Sequence, residues 1–358
     1  MGDIKILFRS YDYNYPRSRV IIKGLRKNGV EVIEWSILHN PHTIFRYAKL
    51  LRKYTTDYDA IIMGFPGGRD DIPLAKSLAL FNRKPIIFDA FISQYDTKVF
   101  DKKVCREKSV RAKCYFYSDK IPCIISDLIL LDTNEHIDYF VNTFGIKKEK
   151  FRRVFVGADD SLFYPVKAEK EDDKFRVLFY GTYIPLHGIE YIVEAAKLLE
   201  NNKNIKFEIL GSGQTYKDIM NLSKKLKIKN ISFKKEWFEK NPQKYIIKTD
   251  VCLGIFGDTP KAKRVIPNKA FQAMAMEKPL ITGDSPAARE VFSNEENAIL
   301  CEMANPKAIA EAILLLKEDK KLRKRIAENG YRLFKERFTP QVIGKEVKII
   351  IEEVMKNW

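Results

Sequence analysis

A run of cations meets a helix start between Gly257 and Ile281 (GDTPKAKRVIPNKAFQAMAMEKPLI). A strand is expected to end at Phe256, and Lys261, Lys263 and Arg264 follow in a loop. Pro267-Asn268 then opens a helix with Lys269 in its first turn and Ala270, Phe271, Ala273 and Met274 turned inward. Helix N-terminal amides, an early lysine and neighbouring cations together make a cradle for a phosphate or diphosphate. Two glycine-bearing loops take the same strand-to-helix position. In YGTYIPLHGI, Gly181 and Gly188 bracket Thr182 and His187, where backbone can approach a ligand and a helix start favours an anion. The same segment also reads as an ordinary turn, with His187 as a cap. Gly211-Ser212-Gly213 repeats the pattern after Leu210.

The first half offers different chemistry. Arg9 to Arg19 (RSYDYNYPRSR) follows a strand and brings Tyr13, Arg17 and Arg19 together. Aromatic faces suit sugar rings and arginine suits phosphate, although a packed loop would look the same. Gly67 and Arg69, in GFPGGR, sit in another loop of this kind, and Asp89 follows the strand Pro85–Phe88. Metal chemistry is not expected. Cys105, Cys114, Cys123, Cys252 and Cys301 are scattered without a CxxC pair, and none of the four histidines has ligand spacing from another.

Strand-like and helix-like segments alternate almost throughout, which predicts α/β architecture with parallel sheets. Strands are expected at Ile4–Phe8, Val30–Trp35, Ala60–Gly64, Pro85–Phe88, Leu128–Asp132 and Phe151–Val156. After a polar, charge-dense stretch the pattern restarts with Phe175–Tyr180, Lys206–Leu210, Ile231–Lys234, Val251–Phe256, Pro279–Thr282 and Ala298–Cys301. Helices are expected over Arg19–Asn28 and Gly188–Glu200, and Asn305-Pro306 and Thr339-Pro340 mark two later starts. The expected division is therefore a first domain over 1–160, a linker over 161–174 and a second domain over 175–338. A last helix, 339–358, crosses back to the first. Two doubly wound domains facing each other leave a cleft, with ligands outside the carboxyl ends of the strands.

The 358 residues are 45% hydrophobic and 31% charged, an ordinary globular composition that excludes disorder. No apolar run approaches the ~18 residues of a spanning helix. Met1 to Lys5 leads straight into a strand, so no secretion signal is expected and the cytoplasm is the expected compartment. The net charge of +17 fits nucleic acid, an anionic membrane surface or anionic small molecules. Basic runs lie at Lys102–Lys113, Lys147–Arg153 and Lys224–Lys235; in the first, Val104, Val110, Ala112 and Tyr115 suggest an amphipathic face.

The GxxxxxxG loop, then GSG, PNKAFQAMAMEKPLIT and SPAAREVF, resembles the donor-binding half of glycosyltransferase family 4. Leu131-Asp132-Thr133-Asn134 and Phe155-Val156-Gly157-Ala158-Asp159 with Phe163-Tyr164-Pro165 are similar to earlier pieces of that family. The resemblance implies a GT-B fold of two Rossmann-like domains and transfer from a nucleoside-diphosphate sugar to a hydroxyl acceptor. Retention of configuration without a bound metal or permanent cofactor is implied too. Lys269 and the Thr182–Gly188 loop would hold the diphosphate, with Arg264 and Asn268 beside it. Gly211 and Gly213 would border the nucleotide, and Glu290 would lie near nucleotide or sugar. Asp89 would take the place of a histidine that touches the transferred sugar. The chain departs from the family at His187 and Thr182, where lysine and arginine are common. It departs again at Arg264 and Gln272, where many members carry two glutamates.

The expected partners are a nucleotide sugar, a glycan or lipid-linked acceptor, and the inner face of an anionic membrane. Asp57-Tyr58-Asp59 is a DxD, the metal pattern of the other large glycosyltransferase fold, but it precedes a strand and reads as a solvated turn. A nucleotide-sugar epimerase would need more carboxylates than the second half offers. A non-catalytic nucleotide-sugar-binding protein stays open through Arg264 and Gln272. Nucleic-acid binding has charge in its favour but no recognisable module.

Overall fold

The computed structural model describes residues 4–35, 58–166, 172–235 and 242–358. They form two compact units: Met1–Tyr95 with Cys105–Val156 and Thr339–Trp358, and Asp96–Val104 with Gly157–Phe338. Residues 167–171 of the expected linker and Asp57 of the DxD lie outside the described residues.

The first unit holds six parallel strands: β1 (Lys5–Arg9), β2 (Glu31–Glu34), β3 (Ala60–Met63), β4 (Ile86–Asp89), β5 (Leu128–Leu131) and β6 (Phe151–Arg153). Their order is β2-β1-β3-β4-β5-β6. β3, β4 and β5 are buried at every position, as unbroken apolar runs such as AIIM and LILL require in a parallel sheet covered on both faces. Helices α1 (Pro16–Lys27), α2 (Ile72–Asn82), α3 (Val110–Ile125) and α4 (Asn134–Phe144) connect them. α1 starts at Pro16, earlier than expected, because Pro16 takes the first helical position.

In the second unit, β7 (Phe175–Tyr180), β8 (Ile205–Leu210), β9 (Ile231–Lys234), β10 (Val251–Leu253), β11 (Leu280–Gly283) and β12 (Ile299–Cys301) form the order β12-β11-β10-β7-β8-β9. Its helices are α5 (Ile189–Leu198), α6 (Tyr216–Lys225), α7 (Gln243–Ile246), α8 (Asn268–Ala275), α9 (Pro286–Arg289), α10 (Pro306–Glu318) and α11 (Lys320–Arg337). β10 stops three residues before the expected end, because the Phe256 N–H leaves the ladder and donates to the His187 carbonyl at 3.1 Å. Cys252 and Cys301 are buried within strands, and all five cysteines are free thiols.

The last helix, α12 (Pro340–Lys356), belongs to the first unit and lies on α1. A Cβ on Gly24 would come within 2.8 Å of Gly344 Cα, so only two glycines let these backbones meet. Asn28 and Gln341 lock the pair, Asn28 Nδ2 donating to Gln341 O and Gln341 Nε2 returning a bond to Asn28 Oδ1. Both proline-marked starts appear: Asn305 Oδ1 caps α10 and Thr339 Oγ1 caps α12.

Strand order reverses between β1 and β3 in the first sheet, and between β7 and β10 in the second. Such switch points open a crevice at the carboxyl ends of the strands. The loops leaving Arg9 and Met63, and those leaving Tyr180 and Leu253, are therefore the ones placed for chemistry.

Candidate active site

At the second switch point β7 ends in Gly181, whose φ of 156° brings its backbone against two side chains. A Cβ there would lie 2.9 Å from Lys269 Nζ and 3.1 Å from His187 Cε1. Lys269 reaches this point from the first turn of α8. Its residue is only 6% exposed, and its ammonium sits 3.7 Å from the centroid of the Phe179 ring. Lys269 Nζ has no hydrogen-bond partner among the described residues, and burial holds its pKa well below the usual 10.5.

His187 ends a short 3-10 turn, Pro185–His187, and Gly188 (φ 61°) turns the chain into α5. Nδ1 of the imidazole faces the Thr182 carbonyl. A carbonyl only accepts, so Nδ1 carries the proton and Nε2 is left as an acceptor. Burial and then the charge of Lys269 push the His187 pKa well below 6.5, which keeps the ring neutral. His187 therefore suits a ligand hydroxyl or N–H. It cannot replace a lysine as a phosphate-binding cation.

Two further cations of the loop, Arg264 and Lys261, are engaged. Arg264 NH2 pairs with Asp96 Oδ1 at 2.6 Å, and Lys261 Nζ meets Thr97 Oγ1. Gln272 is buried, with its Oε1 accepting the Tyr180 hydroxyl at 2.7 Å. Asn268 is half-buried at the first position of α8, and Lys263 is exposed. Gly211 (φ 125°) and Gly213 (φ 156°) turn the next loop, and Gly213 bridges to Tyr183. Thr182 is exposed, and Glu290 is half-buried just after α9. The structure thus brings Gly181, Thr182, His187, Gly188 and Lys269 together. Arg264 and Gln272 lie in interactions of their own.

The contacts that Phe179, Tyr180 and Asp96 make here, with Lys269, Gln272 and Arg264, were not anticipated from the sequence. Asp96 lies 168 positions before Arg264, so no spacing rule connects them.

The first switch point is lined by charge pairs and rings. Arg17 Nε lies 2.8 Å from both oxygens of Asp89, and the two side chains are wholly buried. Asp89 was expected to touch the transferred sugar; closed off in this way, it offers an anchor for Arg17 instead. Arg17 also donates to Val154 O at 2.8 Å and lies over the Phe91 ring. Arg69, expected on the acceptor side, clamps Ile92 O at 2.7 Å and Asp119 at 3.1 Å. Gly67 (φ 92°) carries the Tyr11 ring against its backbone. Tyr13 is half-buried beside Arg9, and Arg19 is half-buried on α1. A buried Asp132–His136 pair, 2.8 Å apart, was also not anticipated; its only mark in the sequence is the i, i+4 spacing across a helix start.

Comparison with known proteins accords with this geometry. Residues 160–333, inside the second unit, match the profile of the family described as Glycosyl transferases group 1. The chain is 24% identical over 388 aligned positions to the capsular polysaccharide biosynthesis glycosyltransferase CapM of Staphylococcus aureus, covering 96% of this chain and 95% of the relative. It is 23% identical over 242 positions to N,N'-diacetylbacillosaminyl-diphospho-undecaprenol alpha-1,3-N-acetylgalactosaminyltransferase of Campylobacter jejuni, covering 63% and 60%. Among solved structures, Anabaena Alr3699/HepE in complex with UDP-glucose superimposes with a TM-score of 0.74 at 14% identity, over 99% of this chain and 100% of that one. With two six-stranded parallel sheets and the group 1 profile over its second unit, the chain is a GT-B glycosyltransferase.

Proposed function

We propose that this glycosyltransferase takes its sugar from a nucleoside-diphosphate donor whose phosphates lie against Lys269 and the start of α5. The carrying observation is the Lys269 ammonium, enclosed, without a hydrogen-bond partner among the described residues, and beside the Gly181 backbone. Burying an unmatched cation is costly, and such a group persists where an anionic ligand completes it. The N-terminal amides of α5, which no side chain caps, add positive potential at the same place. His187 Nε2 accepts from a donor hydroxyl. The transfer is retaining and needs no bound metal, because Lys269 and the helix dipole meet the charge of the leaving diphosphate. The motif likeness to glycosyltransferase family 4 supports this reading. A thermal-shift screen of UDP-, GDP-, ADP- and dTDP-sugars without metal tests it. A selective upward shift for one nucleotide is expected, and none with any of them would overturn it.

The acceptor is a glycan or lipid-linked hydroxyl, met by the first unit around Tyr13, Arg19 and Gly67. Peripheral attachment to an anionic membrane fits α3. Among the described residues no helix is long and apolar enough to cross a membrane. Yet Val110, Cys114, Tyr117, Ile121 and Ile124 are exposed at helical spacing on one face of α3, Val110 by 78%. Exposed Arg111 and Lys113 flank them. Ala112, expected on this face, is buried, because Ser109 caps the helix and sets its phase from Val110. Co-sedimentation with anionic but not neutral vesicles is the expected result, and no binding to either excludes attachment.

A further inference from the structure

The loops leaving β1, β3 and β4 each bring one ring to the same place in the first unit. Tyr15 and Phe65 meet edge to face with centroids 4.9 Å apart, and Phe91 lies 5.2 Å from Phe65 and 6.1 Å from Tyr15. Hydrogen bonds tie the first two loops together. The Ser10 and Ser18 hydroxyls both donate to the Phe65 carbonyl, and the Tyr11 N–H donates to Pro66 O at 2.7 Å. Phe91 is buried, with the Arg17 guanidinium 4.9 Å from its centroid. Tyr15 and Phe65 are half-buried, so the open surface of the cluster is theirs. None of the three rings belongs to the apolar core built on β3, β4 and β5.

The third loop is strained and then pinned. Phe91 holds a φ of 41°, a left-handed conformation that is costly for a bulky side chain and persists only where the surroundings enforce it. One wholly buried carboxylate on α3 does much of that. Asp119 accepts from Ser93 Oγ at 2.7 Å, from the Gln94 N–H at 3.1 Å and from the Tyr95 N–H at 2.8 Å. Arg69 completes the clamp, 3.1 Å from Asp119 and donating to Ile92 O at 2.7 Å. Backbone strain held in this way collects at ligand-binding positions, and these loops flank the switch point of the sheet, where ligands bind. The charges beside the rings are already matched, Arg17 by Asp89 and Arg69 by Asp119. The cluster therefore offers ring surface rather than charge, which suits the C–H face of a neutral sugar and not a phosphate.

We propose that Tyr15 and Phe65, backed by Phe91, form an aromatic platform that receives a neutral saccharide ring of the acceptor. The proposal rests on the reading that the first unit meets the acceptor. Methyl glycosides of glucose, galactose, mannose and N-acetylglucosamine are titrated into the full chain, and saturation-transfer NMR is read with the aromatic protons irradiated. In the wild-type chain saturation reaches the ring C–H protons of at least one glycoside. Tyr15→Leu and Phe65→Leu, each shown to be folded by circular dichroism, weaken that glycoside by about five-fold or more, as loss of a stacked ring does. Tyr15→Phe keeps the ring and holds the affinity near wild type. Wild-type affinity in both leucine variants, with affinity lost in Arg19→Ala, overturns the platform and leaves the acceptor on the first unit. Wild-type affinity in all three variants overturns the first-unit acceptor reading as well. No saturation of any glycoside by the wild-type chain overturns the platform as a saccharide site.

Discussion

At the turn-back of the first sheet, three arginines reach the carboxyl ends of the strands, and each meets a carboxylate. Arg9 pairs with Asp71 at 2.6 Å, Arg17 with Asp89 at 2.7 Å and Arg69 with Asp119 at 3.1 Å. At the turn-back of the second sheet, Lys269 meets a phenylalanine ring, a glycine backbone and a neutral histidine. The same topology is completed in one unit by internal ion pairs and in the other by an unmatched charge. A buried pair closes its own electrostatics and holds loops in place. A buried single charge is closed only by something that binds, so removing a cation should have opposite consequences in the two units.

The largest effect is expected at Arg17. Arg17→Met leaves the Asp89 carboxylate buried without its partner and should cost about 3–5 kcal/mol in denaturant unfolding. Replacing Asp89 by leucine in the same chain should recover much of that loss. A cost under about 1 kcal/mol would place the pair among weak exposed ones and break the contrast. Lys269→Met should leave the melting temperature equal or higher, since it removes a desolvated charge. It should nevertheless weaken nucleoside-diphosphate binding by roughly 10- to 100-fold. A destabilisation as large as that of Arg17→Met would show that Lys269 is structural.

The pH dependence sharpens the same point. Lys269 has its pKa depressed by burial, so the proposed phosphate contact requires its protonated form, and nucleotide affinity should fall as pH rises through that lowered value. His187 is likewise depressed below 6.5: the unfolded chain takes up a proton near that pH, and the folded chain does not. Its contribution to stability is therefore present above the unfolded pKa and lost as pH falls below it. His187→Asn should flatten that decline in thermal melts between roughly pH 6.5 and 5. An unchanged slope would place the imidazole in water. The smallest effect is expected for Gln272→Glu. The Tyr180 hydroxyl can donate to a carboxylate as well as to an amide oxygen, so donor affinity and preference should stay close to wild type. A changed donor preference would instead put residue 272 in contact with the sugar.

Much of the second unit was legible from local pattern. The Phe175–Tyr180 and Ile231–Lys234 strands match their expected limits, and the Asn305-Pro306 and Thr339-Pro340 caps open helices where proline geometry allows. Lys269 could be found because it follows a strand, a basic loop and a helix start in a fixed order. The pairings were not legible. Arg264 looked like a phosphate ligand from its loop, and only folding showed Asp96 beside it. Arg17 and Asp89, 72 positions apart, were given separate duties and share one ion pair. In both cases the sequence displays charge but not the charge that answers it.

The alternation of elements, the parallel sheets and the position of the glycine-bearing and basic loops were legible in the sequence, because these follow from hydrophobic period, turn residues and helix-start chemistry within a few residues. Which charges stay available was settled by folding. Availability depends on distance and burial between residues far apart in the chain, as where Asp96–Val104 enters the second unit and engages Arg264 and Lys261. Lys269 is left over by that folding, and the phosphate role proposed for it rests on the partner it lacks among the described residues.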